Sequence, residues 1–388
     1  MGEANMAEAM EKQMDFESVC AAVAAQAETI EAGRQVPAEL ARNLSYAGMF
    51  NMFVPQAIGG QELSPPEGMA LLEKLAMHDA ASAWICMIGS TAALGSAYID
   101  PAIGGDMFAA PGRITCGIFA PNGRAVREGD SYRVSGRWAW ASGSANADYI
   151  GLGCMALDSA DDKPGGDKIR LLMVPREDII FHDTWHTMGL CGTSSGDVEV
   201  KDICVPVAHS YSIATETPWA ETALYRMPYF GFLATGVGAV ALGNARAALD
   251  DVIALATEKK AMGHSRTLAE RSGVQAALAE AEAEWRSIHA FYWQTLNQIW
   301  QDVQAGAEMT PHRRADLRLI STHAVRRAVS VVRSAHDIAG GTSVYKTSAV
   351  QRRLRDAETM TQHMIANAAT YELAGRVMLG GYHESMQL

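Results

Sequence analysis

The stretch Gly136-Arg137-Trp138-Ala139-Trp140-Ala141-Ser142-Gly143-Ser144-Ala145-Asn146-Ala147-Asp148 decides how the 388-residue chain is divided. It closes a β-like run over 132–140 and then passes into small and polar residues that mark a turn. Other runs of strand length flank it, at 114–119, 149–155, 169–174 and 198–205. No helical period lies between them. Residues 113–212 therefore read as a middle β domain, a small antiparallel β-barrel or sandwich.

Outward from this region both flanks turn helical. On the N-terminal side, Leu40, Leu44, Ala47 and Met49 form one apolar stripe and Met69, Leu72, Leu75 and Ala76 another. The turn Phe53-Val54-Pro55-Gln56-Ala57-Ile58-Gly59-Gly60 separates them, and Pro65-Pro66-Glu67 has the form of a helix start. On the C-terminal side, Leu317, Ile320, Ala324, Ala328, Val331, Ala335 and Ile338 recur in steps of three, four and seven. The expected fold class is α+β: an N-terminal helical domain (1–112), the middle β domain (113–212) and a C-terminal helix bundle (213–388).

Composition narrows the function. Hydrophobic residues make up 48% and charged residues 20%, which fits a globular protein and not a disordered one. The net charge of −12 and the lack of a Lys/Arg cluster make nucleic acid and anionic membrane surfaces poor partners. No uninterrupted apolar run of membrane-spanning length is expected, and residues 1–17 have neither a basic nor an apolar leader segment. Six scattered cysteines without a CxxC read as buried free thiols, and a cytoplasmic location fits them.

Three local signals lead nowhere. Gly236-Val237-Gly238-Ala239-Val240-Ala241 loosely matches a dinucleotide fingerprint, but it lies in a helical region and reads as close helix packing. His182, Asp183 and His186, with the two histidines on one strand face, have no further ligand cluster to make a metal site. There is no Gly-x-Ser-x-Gly elbow and no P-loop, so hydrolase and kinase readings lack support.

Two further segments join the opening one. They are Met188-Gly189-Leu190-Cys191-Gly192-Thr193-Ser194-Ser195-Gly196-Asp197-Val198 and Ala339-Gly340-Gly341-Thr342-Ser343-Val344-Tyr345, the latter leading into Arg353-Leu354-Arg355-Asp356-Ala357. In this order and spacing, and with Gly48-Met49-Phe50 and Val54-Pro55…Gly59-Gly60, the chain resembles the acyl-CoA dehydrogenase superfamily from about residue 30 to 381. The resemblance implies a flavin site. Trp140 would lie against the isoalloxazine, and Ser142 would stand beside flavin N5, where a hydroxyl can donate or accept. Thr193, Ser194, Gly340, Gly341 and Trp84 would line the cofactor, the glycines either by close backbone approach or simply as a helix C-terminal turn.

The departure from the dehydrogenases is informative. Counting from Arg355-Asp356-Ala357, the place of the proton-abstracting carboxylate falls on Met364, and a thioether cannot take a proton. Its neighbour His363 gives the segment a closer resemblance to the two-component flavin monooxygenases, among them p-hydroxyphenylacetate and steroid-phenol hydroxylases. That branch uses reduced flavin (FAD or FMN) and O2 to form a C4a-hydroperoxide, which must be shielded from water. His363 would then supply or shuttle a proton and Ser142 would hold N5–H. No nicotinamide site is visible, so a separate flavin reductase is the implied partner.

Phenol hydroxylases of this kind carry a further His two helical turns after an N-terminal Trp, but here Ala92 stands at that distance from Trp84. A phenolate would lose its partner, and a small aromatic substrate with a neutral ring, such as an indole, is expected. The segments Ile30-Glu31-Ala32-Gly33-Arg34 and Ser82-Ala83-Trp84-Ile85-Cys86-Met87-Ile88-Gly89 likewise resemble indole and indole-acetate oxygenases. The competing readings are a dehydrogenase or flavin oxidase with a relocated base, Glu282 or Glu284, and a non-enzymatic homologue. The resemblance also implies a homotetramer built on the bundle. Lys259, Lys260 and Arg266 are candidates for a cofactor phosphate.

Overall fold

The computed structural model describes residues 15–159, 161–260, 265–381 and 388, so most of the 1–17 segment read above for a leader lies outside the described residues. The chain divides into two compact units: Met1–Ser64, Ile85–His186 and Cys191–Arg226 form unit 1, and Pro65–Trp84, Thr187–Leu190 and Met227–Leu388 form unit 2.

Unit 1 opens with α1 (Phe16–Gly33) and α2 (Ala38–Tyr46). Asp15 starts α1 by accepting from the Ser18 backbone N–H at 3.0 Å. Leu40 and Leu44 of the expected stripe are buried on α2. Among the described residues seven strands follow, β1 (Thr115–Glu128), β2 (Ser131–Trp138), β3 (Tyr149–Leu157), β4 (Ile169–Pro175), β5 (Ile180–His182), β6 (Asp197–Pro206) and β7 (Ser210–Tyr211). Their order is β5-β6-β2-β1-β3-β4-β7. The sheet is thus open where the sequence suggests a closed barrel or a sandwich. The edge strands are only three and two residues long, too short to pair and close the sheet. One pairing, β1 with β3, is parallel. The chain leaving β2 doubles back to run beside β1, and the 136–148 motif is that return.

Register and packing set the entrance to this return. Trp138 pairs with Val198 across β2 and β6, so the residues after Trp138 lie beside those before Asp197. The Trp138 indole is fully buried and donates to the Gly153 carbonyl at 2.7 Å. It fills the space over Gly123, where an added Cβ would meet it at 2.3 Å. A larger residue at Gly123 would expel the ring.

Unit 2 contains α3 (Pro65–His78), the first turn of α4 (Ala80–Ala92) and, among the described residues beyond 227, five helices; the short α5 (Pro101–Gly104) belongs to unit 1. The five are α6 (Tyr229–Glu258), α7 (Ser272–Gln304), α8 (Pro311–Ala339), α9 (Ala349–Met360) and α10 (Thr370–Met378). The stripe on α8 is buried from Leu317 to Ala335 and loosens only at Ile338; burying each of its larger side chains contributes about 1.5–3 kcal/mol. Thr310 and Pro311 begin α8 as N-cap and first-turn proline. Glycines on α6 let it approach its neighbours: a Cβ on Gly238 would sit 2.8 Å from Tyr292, and one on Gly243 only 2.0 Å from the Glu73 carbonyl oxygen. The Gly236–Ala241 fingerprint is therefore helix packing.

Against the sequence expectation, two stretches among the described residues, Ala80–Ala97 and Tyr229–Glu258, are long and apolar enough to cross a bilayer, but 94% of each such window is buried inside the protein. Their apolar character serves the core. Five of the six cysteines are buried free thiols, and Cys204 is exposed.

Candidate active site

In unit 1 the 138–143 and 191–196 segments are tied by main-chain bonds. Ala141 N–H donates to the Gly196 carbonyl at 3.1 Å, and Gly143 N–H to the Thr193 carbonyl at 3.0 Å. This brings three hydroxyls together. Ser195 Oγ lies 2.6 Å from Ser142 Oγ and 2.6 Å from Thr193 Oγ1. Ser142 and Thr193 are expected from the sequence; Ser195, in the same segment as Thr193, is not, because its meaning comes only from these contacts. Ser194 is partly exposed and adopts a left-handed φ of 49°.

Trp140 contrasts with Trp138 two residues earlier. It is 75% exposed and has φ of +62°, a conformation costly for a bulky side chain. It is not an ordinary core aromatic. A strained residue that presents an open aromatic face is the kind of outlier that marks ligand sites.

In unit 2 the chain beyond α9 does not continue as a helix; residues 361–369 form successive turns. Within them the Met364 side chain is 60% exposed, whereas His363 is partly buried and meets the Trp84 ring edge-on, with centroids 5.3 Å apart. The residue at the counted place, Met364, faces outward, while the turn folds its neighbour His363 inward. Burial, and then the positive charge of Arg318, push the His363 pKa down to about 4. The ring is neutral near pH 7. Its Nδ1 accepts from the Ile365 N–H at 3.4 Å, which assigns the proton to Nε2. Sequence reading missed Arg318, which is only 3% exposed. Its signal was a charged residue on a helix face shared with Thr322, Val325 and Val329.

The Arg-Asp pair of the third motif has a structural job. Asp356 is buried and accepts the Leu190 N–H at 2.6 Å; Arg355 donates to the Met188 carbonyl. Gly189 is obligatory beneath them, since a Cβ there would lie 2.1 Å from the Arg355 carbonyl oxygen. Arg353 is buried between Asp251 at 2.6 Å and the Met77 carbonyl at 2.9 Å.

The remaining candidates disperse. Gly340 ends α8 with φ 55° and ψ −140°, a backbone state open to glycine, so its helix-terminal role is established by geometry. Gly340 and Gly341 also have open space where side chains would stand. Lys259 Nζ caps the same helix end through the Ala339 carbonyl at 2.7 Å, leaving it committed. Lys260 bridges Thr267, and Arg266 is exposed in the loop between them.

His182 ends β5 and lies 2.8 Å from Glu199, while Asp183 pairs with Arg34 at 2.7 Å. His186 lies beyond the strand, so the two histidines do not share a strand face. Glu282 is held below the usual carboxylate range by Arg246 and Arg286, and Glu284 lies 3.6 Å from Arg327. Glu282 in particular is poorly placed to replace a lost base.

Comparison with known proteins assigns the family. Residues 8–100 match the acyl-CoA dehydrogenase N-terminal domain, and residues 235–368 the acyl-CoA dehydrogenase C-terminal domain. An indole-3-acetate monooxygenase of Pseudomonas putida is 32% identical over 337 residues, covering 86% of this chain and 84% of that protein. The oxygenase component of an FADH2-dependent resorcinol hydroxylase from a Rhizobium species is 28% identical over 369 residues, covering 90% and 89%. The crystal structure of 3-HSA hydroxylase from Rhodococcus sp. RHA1 superposes with a TM-score of 0.87 over 98% of this chain and 99% of that one, at 22% identity. The chain belongs to the acyl-CoA dehydrogenase superfamily, in its flavin-dependent monooxygenase branch.

Proposed function

We propose that this chain is the oxygenase of a two-component system that oxygenates a small aromatic substrate, an indole in preference to a phenol. Its flavin would be delivered reduced by a separate reductase, and O2 would be the second substrate. The observation that carries the reading is His363. A neutral imidazole folded inward against Trp84, beside a thioether in place of a carboxylate, suits hydrogen-bond donation and proton relay.

The residues present fit a flavin. Trp140 offers an exposed aromatic face for a planar ring, and the Ser142 hydroxyl, tied to Ser195 and through it to Thr193, can donate or accept at its polar edge. Bound there, reduced flavin would supply the electrons for activating O2. The chain's own part is narrower. Ser142 offers a hydroxyl that can donate or accept; in unit 2, Trp84 covers one edge of His363, whose Nε2–H can donate a hydrogen bond and whose neutral ring can pass on a proton only as it takes up another. Ala92 stands at the sequence distance from Trp84 at which phenol hydroxylases of this kind carry a His, and its methyl group cannot partner a phenolate, which supports a neutral ring.

We also propose a cytoplasmic homotetramer joined through the bundle. FADH2 is favoured over reduced FMN by the FADH2-dependent relative. The experiment is turnover with a flavin reductase, NADH, O2 and either indole-3-acetate or 4-hydroxyphenylacetate. Indole oxygenation with little action on the phenol is expected. Consumption of the phenol alone would remove the indole assignment, and bleaching of bound oxidised FAD by an acyl-CoA would remove the oxygenase assignment.

A further inference from the structure

Beside its apolar stripe, α8 carries a second buried line: Arg318, Thr322, Val325, Val329 and Val332. Only the first is charged. A guanidinium enclosed in this way is costly unless an anion or several acceptors satisfy it. Other enclosed arginines of unit 2 obey that rule, Arg353 through Asp251 and Arg246 through Asp250 and Glu282.

Arg318 does not. Its protein hydrogen bond is a long one, Nη1 to the Phe230 carbonyl at 3.4 Å, and the buried Nε has no partner. Among the described residues no carboxylate pairs with it. Burial alone acts on its pKa, lowering it to about 10, with no acidic group to offset the loss. Its charge nevertheless reaches His363, which it helps keep neutral.

We propose that Arg318 is the anion-recognition residue of the His363 region and binds the carboxylate of an aromatic acid substrate. The inference rests on the oxygenase reading and names the substrate class within it. Nε–H and a neighbouring Nη–H lie in one plane, the fork that a carboxylate accepts in a bidentate manner. A carboxylate held there would place the attached ring near His363. A flavin phosphate offers related anionic oxygens, and the test separates it from the substrate.

Affinities of indole-3-acetate and of the neutral indole-3-acetamide are measured by calorimetry on the purified protein, on Arg318→Met and on Arg318→Lys. FAD affinity is measured on all three. The wild-type protein is expected to favour the acid at least tenfold. Arg318→Met should weaken acid binding by about 10- to 100-fold and erase the preference, and Arg318→Lys should keep part of it. Equal wild-type affinity for acid and amide, or binding of neither, overturns the proposal even if no variant folds. So does equal weakening of both ligands in Arg318→Met, or a loss confined to FAD. An Arg318-dependent preference for the acid in a protein that oxygenates no indole would uphold this inference and defeat the oxygenase reading. Oxygenation of acid and amide with equal KM would do the reverse.

Discussion

In unit 1, Ser142 and Thr193 are placed by main-chain bonds between two segments that the β2–β6 register already sets side by side. In unit 2, His363 sits in irregular turns beyond α9, and that helix is fixed by side chains: Arg353 to Asp251 and Met77, Asp356 to Leu190. Main-chain bonds survive most substitutions. Buried charged side chains do not, because removing one partner strands the other. The unit 1 candidates should therefore tolerate mutation structurally, so that losses there report on chemistry. Around α9 the same experiment also perturbs the fold.

The largest effect should come from breaking that side-chain support. Arg353→Ala leaves Asp251 without its partner and is expected to cost about 3–5 kcal/mol, read from urea unfolding. Little change would mean that α9 is held by its apolar contacts alone. His363→Ala should reduce product formation by about 100-fold or more, with NADH oxidation continuing and peroxide released. Ser142→Ala, in the main-chain-held segment, should lower coupling by about tenfold and leave the thermal midpoint nearly unchanged.

His363 also gives a pH signature. Unfolded, it takes a proton below its ordinary value of 6.5, whereas folded it stays neutral down to about 4. The unfolded state binds more protons through that window, so stability falls as pH drops from 6.5 toward 4 and levels off beneath. His363→Asn should remove this component, and the two melting curves should converge as pH falls. The smallest effect is expected at Trp140. Trp140→Gly relieves the left-handed backbone and should stabilise unit 1 by about 1 kcal/mol, while weakening flavin binding. A loss of stability there would show that the exposed indole packs against something after all.

Much of this was legible in the sequence because it depends on local pattern. Periodic apolar residues marked α8, and Pro65-Pro66 marked the start of α3. Five of the strands were visible as β-like runs. The edge strands β5 and β7 were not, since two or three residues carry no alternation. Nor was the open sheet, because closure depends on which strands pair and not on whether strands exist.

The site divides along the same line. Trp140, Ser142 and His363 could be picked out because they sit in contiguous motifs, and the contrast between a buried Trp138 and an exposed Trp140 then came from the structure. Ser195 and Arg318 acquire meaning only through contacts made across the fold. Met364 was reached by counting from Arg355-Asp356-Ala357, whereas the turns that expose it and fold His363 inward came from the structure.

The most direct test of the account is the ratio of oxygenated indole to O2 consumed, measured with chemically reduced flavin for the wild-type protein and His363→Ala. A ratio near one is expected for the wild type and a fall of at least about tenfold in the variant, with hydrogen peroxide making up the difference. An unchanged ratio in His363→Ala would contradict it.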